Sequence, residues 1–304
     1  MIDFVNIQFR NKEKYELEDN ILLLQNLPEP SINRHKIASV NQTIDSFTEE
    51  KRSYPLKGKI QNMNINCYEN SSVIQNSIHK LHNLRLTGRE HNYNELTFSQ
   101  TLDNLNYLKH FFPKLPDGKL TRLEFGFNLY TREEAQSIIT KNLLMHKFKD
   151  PSRYRRNSTM CYKEFTHSNY DIKVYDKAKQ YKRPKHENIL RFEIRFKSKG
   201  IHELGIYTVR DLYRKNTYRK LFIKSMKRFD ELQIVDQFNA LPTEQYNKLI
   251  QFSNPHFWST FNNRQTRSRY TNAFHSLLIE NDLLQTKQRI RNLLQKNFIK
   301  LINN

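Results

Sequence analysis

The chain lacks most of what would place it in a membrane or outside a cell. No apolar run approaches the roughly 20 residues that cross a bilayer. Its two cysteines, Cys67 and Cys161, stand apart with no metal-ligand spacing around them, so reduced cytosolic thiols are expected. The opening stretch MIDFVNIQFR reads as a strand followed by polar residues, not as a signal peptide, and a cytoplasmic protein follows as the expectation. The six glycines and the abundant Asn and Lys are assigned no function. Acidic residues are also short: 31 Asp and Glu face 51 Lys and Arg, a net charge of +20 over 304 residues. Such an excess, in a chain with many Tyr and Phe, points to a polyanion rather than a membrane surface as partner.

What is present is strand-like alternation. In KIQNMNINCY, Met63, Ile65 and Cys67 share one face. A Pro116-Asp117-Gly118 turn then leads into LTRLEFGFNLYT. There Leu123, Phe125, Phe127 and Leu129 oppose Arg122, Glu124 and Asn128. Thr131 and Glu134 have the spacing of a capping box, with Ala135, Ile138 and Ile139 as the apolar stripe of the helix behind it. ILRFEIRFKSK repeats the strand theme, with Leu190, Phe192, Ile194 and Phe196 against Arg191, Glu193, Arg195 and Lys197. A helical reading spans Val209 to Phe229, and from about Gln233 the pattern is helical and strand-poor. These patterns predict an α+β domain over 1–232 and a small helical module over 233–304.

The segment SNYDIKVYDKAKQYK bears the chemistry. Ile172 and Val174 alternate with Asp171, Lys173 and Tyr175, which puts Tyr175 on the polar face between Lys173 and Lys177. A neutral phenol, with a pKa near about 10, is a poor nucleophile, and flanking ammonium groups favour its charged form. If the strands share one sheet, Glu124, Tyr175 and Glu193 converge on its wet side. Two carboxylates there suit Mg²⁺ or Mn²⁺, which takes oxygen ligands and polarises a phosphodiester. Spacing alone leaves other readings open: Tyr175 as a structural or surface residue, and each glutamate as the ion-pair partner of an arginine two positions away.

Taken in order, MIDFVNIQF, LTRLEFGFNLYTREEAQSII, IKVYDKAKQ and LRFEIRFKSKGIHELGIYTVRDL resemble the replication initiators of filamentous phages, the gene II type of rolling-circle nicking enzyme, and related plasmid proteins. The resemblance covers about residues 1–230. It implies an antiparallel sheet core of the HUH/Rep nickase type with helices on one face. It also implies Tyr175 as the residue joined to DNA, Lys177 as its supporting cation, and Glu124 and Glu193 as metal ligands. The pair of histidines separated by one apolar residue, which many rolling-circle nickases use for metal, is missing. Period two in SVIQNSIHK groups His79 with Gln75 and Ser77, making it the candidate third ligand, against a phosphate-contacting or exposed histidine.

Basic segments with interspersed tyrosine suit phosphate contacts and base stacking. The expected DNA contacts are Lys173, Arg122, Arg191, Arg195, Arg153, Arg155, Arg156, Arg210, Arg214 and Arg219, with Arg264, Arg267 and Arg269 in the helical module. The resemblance therefore implies an initiator that nicks and rejoins single-stranded origin DNA in a bacterial host cell, with a host helicase and polymerase as further partners. The alternatives are a mobilisation relaxase and a DNA- or RNA-binding protein with no chemistry.

Overall fold

The computed structural model describes residues 1–10, 18, 38–41, 54–184, 186–238 and 241–304. The first strands are β1 (Ile2–Arg10), β2 (Ala38–Asn41), β3 (Leu56–Ile60), β4 (Met63–Tyr68) and β5 (Ser71–Ser77). Helices α1 (Ile78–Thr87) and α2 (Phe98–Phe111) precede the long strand β6 (Lys119–Tyr130). Strands β7 (Leu143–His146), β8 (Arg153–Arg156), β9 (Cys161–Thr166) and β10 (Tyr170–Asp176) follow, then the helical turn α3 (Lys177–Gln180) and β11 (Ile189–Lys197). Helix α4 (Lys215–Asp230) and β12 (Leu232–Ile234) lead to α5 (Thr243–Phe252), α6 (Arg264–Glu280) and α7 (Gln285–Asn303). The chain is α+β, built on antiparallel strand pairs.

Two compact units emerge: residues 1–126 with 195–221 and 300–304, and residues 127–194 with 222–299. They do not follow a division at residue 232. In the first, strand order is β2-β3-β4-β5-β1-β6. Alternation sends Val5, Ile7, Ile65 and Ile74 inward, and an irregularity in the β1–β6 register lets both Leu120 and Leu123 be buried as well, with Leu81, Leu105 and Leu108 of the helices. Thr97 opens α2 with a capping box to Gln100. The turn before β6 is a 3-10 turn, Leu115–Asp117. A Cβ at Gly118 would collide with Ile7 and Phe9, so this close approach of backbone to core requires glycine.

In the second unit the order is β6-β11-β10-β9-β8, with β12 and β7 forming a separate pair. The helices after residue 233 are not a module apart. Leu249, Phe252, Trp258, Phe274 and Leu278 share a core with Met145 of β7 and Val235. Trp258 is fully buried, stacks on Phe148 at 4.0 Å, and satisfies its indole N–H on the Phe252 carbonyl at 2.7 Å.

Local expectations fail at three places, each for a local reason. Thr131 caps no helix, because its hydroxyl donates to the Glu133 carbonyl; helical backbone starts at Ala135 and widens to a π-turn over Ile138–Asn142. The helix foreseen over 209–229 is a 3-10 turn, Val209–Tyr213, then α4, with Arg214 extended between them. Period two ends at Ser77, whose hydroxyl accepts from the Lys80 N–H as the cap of α1, so His79 lies on a helix and not on a strand.

Candidate active site

Strand β10 and the turn after it build the site, within the second unit. Asp176 ends the strand and caps α3 by accepting from the Lys179 N–H at 2.9 Å. This sharp change of direction brings Lys177 back alongside Tyr175. The Lys177 ammonium donates to the Tyr175 hydroxyl oxygen at 3.2 Å, and that hydroxyl donates to Glu193 Oε2 at 3.3 Å. The same carboxylate oxygen accepts from Arg191 Nε at 2.9 Å, and Arg191 also reaches Asn128 Oδ1 at 2.9 Å. Lys177 stands 5.1 Å from the ring centres of both Tyr175 and Tyr181, and Lys173 lies 5.0 Å from the Tyr175 ring.

The result is a phenol held between an ammonium and a carboxylate. Its setting is less open than alternation suggested. Tyr175 is 6% exposed, Glu193 5%, Arg191 2% and Lys177 1%. Strand alternation separates the two faces of β10 and β11, but it does not report what lies over the polar one. The phenol therefore sits in a buried polar network, neither in an apolar interior nor on a wet surface.

The other expected ligands lie in the first unit and are held by protein partners. Glu124 Oε1 accepts from Arg195 Nε at 2.6 Å. His79 is buried, and its Nε2 is 2.8 Å from Asn94 Oδ1. Among the described residues no three or more His, Cys, Asp or Glu side chains group as a metal ion requires. Glu193, paired with Arg191 and Tyr175, is likewise engaged. The donor arrangement does not fit a divalent cation, and no chemical step below is routed through one.

The expected DNA contacts divide by exposure. Arg153, Arg155 and Arg156 are all exposed on β8, and Arg219 is exposed on α4. Arg210 pairs with Asp117, and Arg214 lies 3.9 Å from Asp211. Arg122 is exposed, 5.9 Å from the Phe4 ring. On α6, Arg264 and Arg269 are exposed, while Arg267 reaches the Lys147 carbonyl at 3.4 Å. Arg191 is buried in the network around Tyr175 and Arg195 is tied to Glu124.

Two features escaped sequence reasoning. Asn128, foreseen only as a polar-face residue, is buried and orients Arg191. A second cluster joins distant segments: His146 Nε2 is 3.3 Å from Glu231, Arg228 grips that carboxylate at 2.6 and 2.7 Å, and His167 bonds His146 at 2.9 Å. Burial, hydrogen-bond partners and charges together set its titration. Burial, then the charges of His146, Lys147 and Arg228, push His167 down to about 4. Burial alone would raise Glu231, but His146 and Arg228 offset it and hold the carboxyl at about 2.

No protein-family model matches the chain, and no curated protein matches it. Among solved structures it is similar to a rolling circle replication initiator protein from Geobacillus stearothermophilus, at 11% identity and a TM-score of 0.45, over 81% of this chain and 89% of that one. A likeness this distant decides neither family nor chemistry. Among the described residues no helix is long and apolar enough to cross a membrane.

Proposed function

We propose that the chain is a tyrosine-dependent single-strand DNA nicking and joining enzyme of the rolling-circle initiator kind, with Tyr175 as its nucleophile. The observation that carries this reading is the contact of one phenol oxygen with Lys177 at 3.2 Å and Glu193 at 3.3 Å, in a chain of net charge +20. The motif order described above, of the gene II type, agrees with it.

In this reading Tyr175 Oη attacks the phosphorus of a phosphodiester as its proton passes to Glu193, already the hydrogen-bond acceptor. Lys177 neutralises the charge that builds on the phenol oxygen. The new O–P bond replaces the bond to the 3′-oxygen, which leaves as an alkoxide and takes a proton from solvent water to become a free 3′-hydroxyl. The proton held by Glu193 returns to solvent. The strand stays on the enzyme as a 5′-phosphotyrosyl ester, an arrangement that lets a 3′-hydroxyl reverse the step and close a circle. Because Tyr175 is nearly covered, a phosphate reaches it only after the cover parts.

The burial of Arg191 and Lys177 favours a second reading, in which the network is structural and the protein binds nucleic acid without chemistry. A labelled single-stranded oligonucleotide carrying the cognate origin separates them, incubated with and without Mg²⁺ or Mn²⁺. The nuclease yields a denaturation-resistant protein–DNA adduct that Tyr175→Phe eliminates while oligonucleotide binding persists. Binding by the wild-type protein with no adduct under either condition removes the catalytic reading. A transfer origin in place of a replication origin distinguishes a mobilisation relaxase.

A further inference from the structure

The strands beside Tyr175 carry a feature that the nucleophile does not use. In the β8–β9–β10 register Arg155 is opposite Tyr162, and Tyr162 is opposite Tyr175. Directly opposed residues share a face, so Arg155, Tyr162 and Tyr175 form one row across three strands. Strands are about 4.8 Å apart, so this row runs roughly 10 Å inward from β8, the end strand of the described order. Lys173 stands 4.9 Å from the Tyr162 ring and 5.0 Å from the Tyr175 ring, placing one cation beside both.

The surroundings select the occupant and the path. Every residue of β8 is exposed, and the strand reads Arg153, Tyr154, Arg155, Arg156 with no acid among them. The adjacent row, Arg153–Glu164–Lys173, has a carboxylate at its centre and no aromatic ring, so it offers a base nothing to stack on. On the opposite face Tyr154 is exposed but Lys163 and Val174 behind it are buried, and the Lys163 ammonium is spent on the Leu143 carbonyl at 2.5 Å. What remains is a row with an exposed guanidinium at its outer end, a half-buried aromatic ring in its middle and a phenol at its inner end. That sequence suits a single strand of DNA, which needs cations for its phosphates and flat rings for its bases. A duplex, with its bases already stacked, gains nothing from Tyr162.

We propose that single-stranded DNA crosses the sheet along Arg155–Tyr162–Tyr175, with Tyr162 as the stacking platform for the base beside the phosphate delivered to Tyr175. The assignment rests on the nucleophile reading only for its inner end. Tyr162 is a positioning residue here: it holds a base and takes no part in bond exchange.

Fluorescence anisotropy with 5′-fluorescein-labelled (dT)16, measured over a salt series on the full chain, tests the row. Tyr162→Thr keeps a good strand former and should weaken binding about fivefold to a hundredfold, with the salt slope unchanged. Tyr162→Trp should restore it, since a larger ring still stacks. Arg155→Gln, at an exposed position, should lower the salt slope by about 0.7. Tyr162→Thr binding within twofold of the wild-type protein, or a loss that Tyr162→Trp fails to recover, overturns the proposal. An origin adduct formed by a protein whose binding ignores Tyr162 sinks the row and leaves the nucleophile standing. Tyr162-dependent binding by a protein that never forms an adduct upholds the row and sinks the nucleophile.

Discussion

The chain carries Arg-x-Glu twice on long strands, and the two copies have different fates. On β11, Arg191 and Glu193 pair with each other at 2.9 Å, with side chains 2% and 7% exposed. On β6, Glu124 ignores Arg122 and takes Arg195 at 2.6 Å, with Arg195 still 32% exposed. The same three-residue pattern thus gives a desolvated network in one unit and a partly solvated cross-strand pair in the other. Burial, not the motif, decides whether a glutamate is replaceable, because the cost of an unmatched charge grows as water is removed from around it.

The largest difference should follow from removing the charge at each copy. Glu193→Gln removes the charge that the buried Arg191 guanidinium pairs with at 2.9 Å, and a cost of about 3–5 kcal/mol is expected for breaking a buried pair. Urea unfolding of the purified variant measures it through the shift in midpoint at constant slope. A loss below about 1 kcal/mol would mean that water reaches this network, and the contrast between the copies would collapse. Because Glu193 also takes the Tyr175 proton in the proposed reaction, adduct formation should fall in whatever fraction remains folded.

How far the sequence foretold this contrast depends on what each signal encodes. Alternation correctly put Arg191 and Glu193 on one face of a strand and Leu190, Phe192 and Ile194 on the other, because the two-residue repeat is a property of the backbone itself. It was silent on what covers the polar face, so a wet surface was expected where a buried network lies. The closeness of Lys177 to Tyr175 was foreseen, although as a strand repeat; the geometry comes from the Asp176 cap, which turns the chain. His79 was misplaced because a serine at the end of an alternating run reads equally as strand and as helix cap. The pairing of Arg195 with Glu124, like the joining of His146, His167 and Glu231, is set by strand partners distant in sequence, and no local pattern records it.

The cluster around Glu231 offers a second carboxylate gripped by cations, and it adds a pH axis to the comparison. His167 titrates at about 4 in the folded chain, below the usual histidine value near 6.5. Between those values the unfolded chain binds a proton that the folded chain refuses, so stability is full above about pH 6.5 and declines toward pH 4. Glu231, held at about 2 against an ordinary 4.5, adds a separate loss as pH falls from 4.5 toward 2. Thermal melts across pH 7.5 to 4 should show the first decline, and His167→Asn should flatten it while the loss below pH 4.5 persists. An unchanged pH profile in that variant would assign the decline elsewhere, with His146, also lowered by burial, as the next residue to replace.

The smallest effect belongs to the β6 copy. Glu124→Gln keeps an oxygen for Arg195 to donate to, and a guanidinium one-third exposed regains water easily. A change of about 0.2–1 kcal/mol is expected, within the range of solvated pairs, and it should shrink further in high salt. That modest cost gives the variant its use, because it folds and separates two roles for the same carboxylate. If Glu124 serves only Arg195, the variant forms the Tyr175 adduct at the wild-type rate. A variant that folds normally but no longer forms the adduct would place Glu124 in the chemistry, and the less buried of the two motifs would then be the one selected for function.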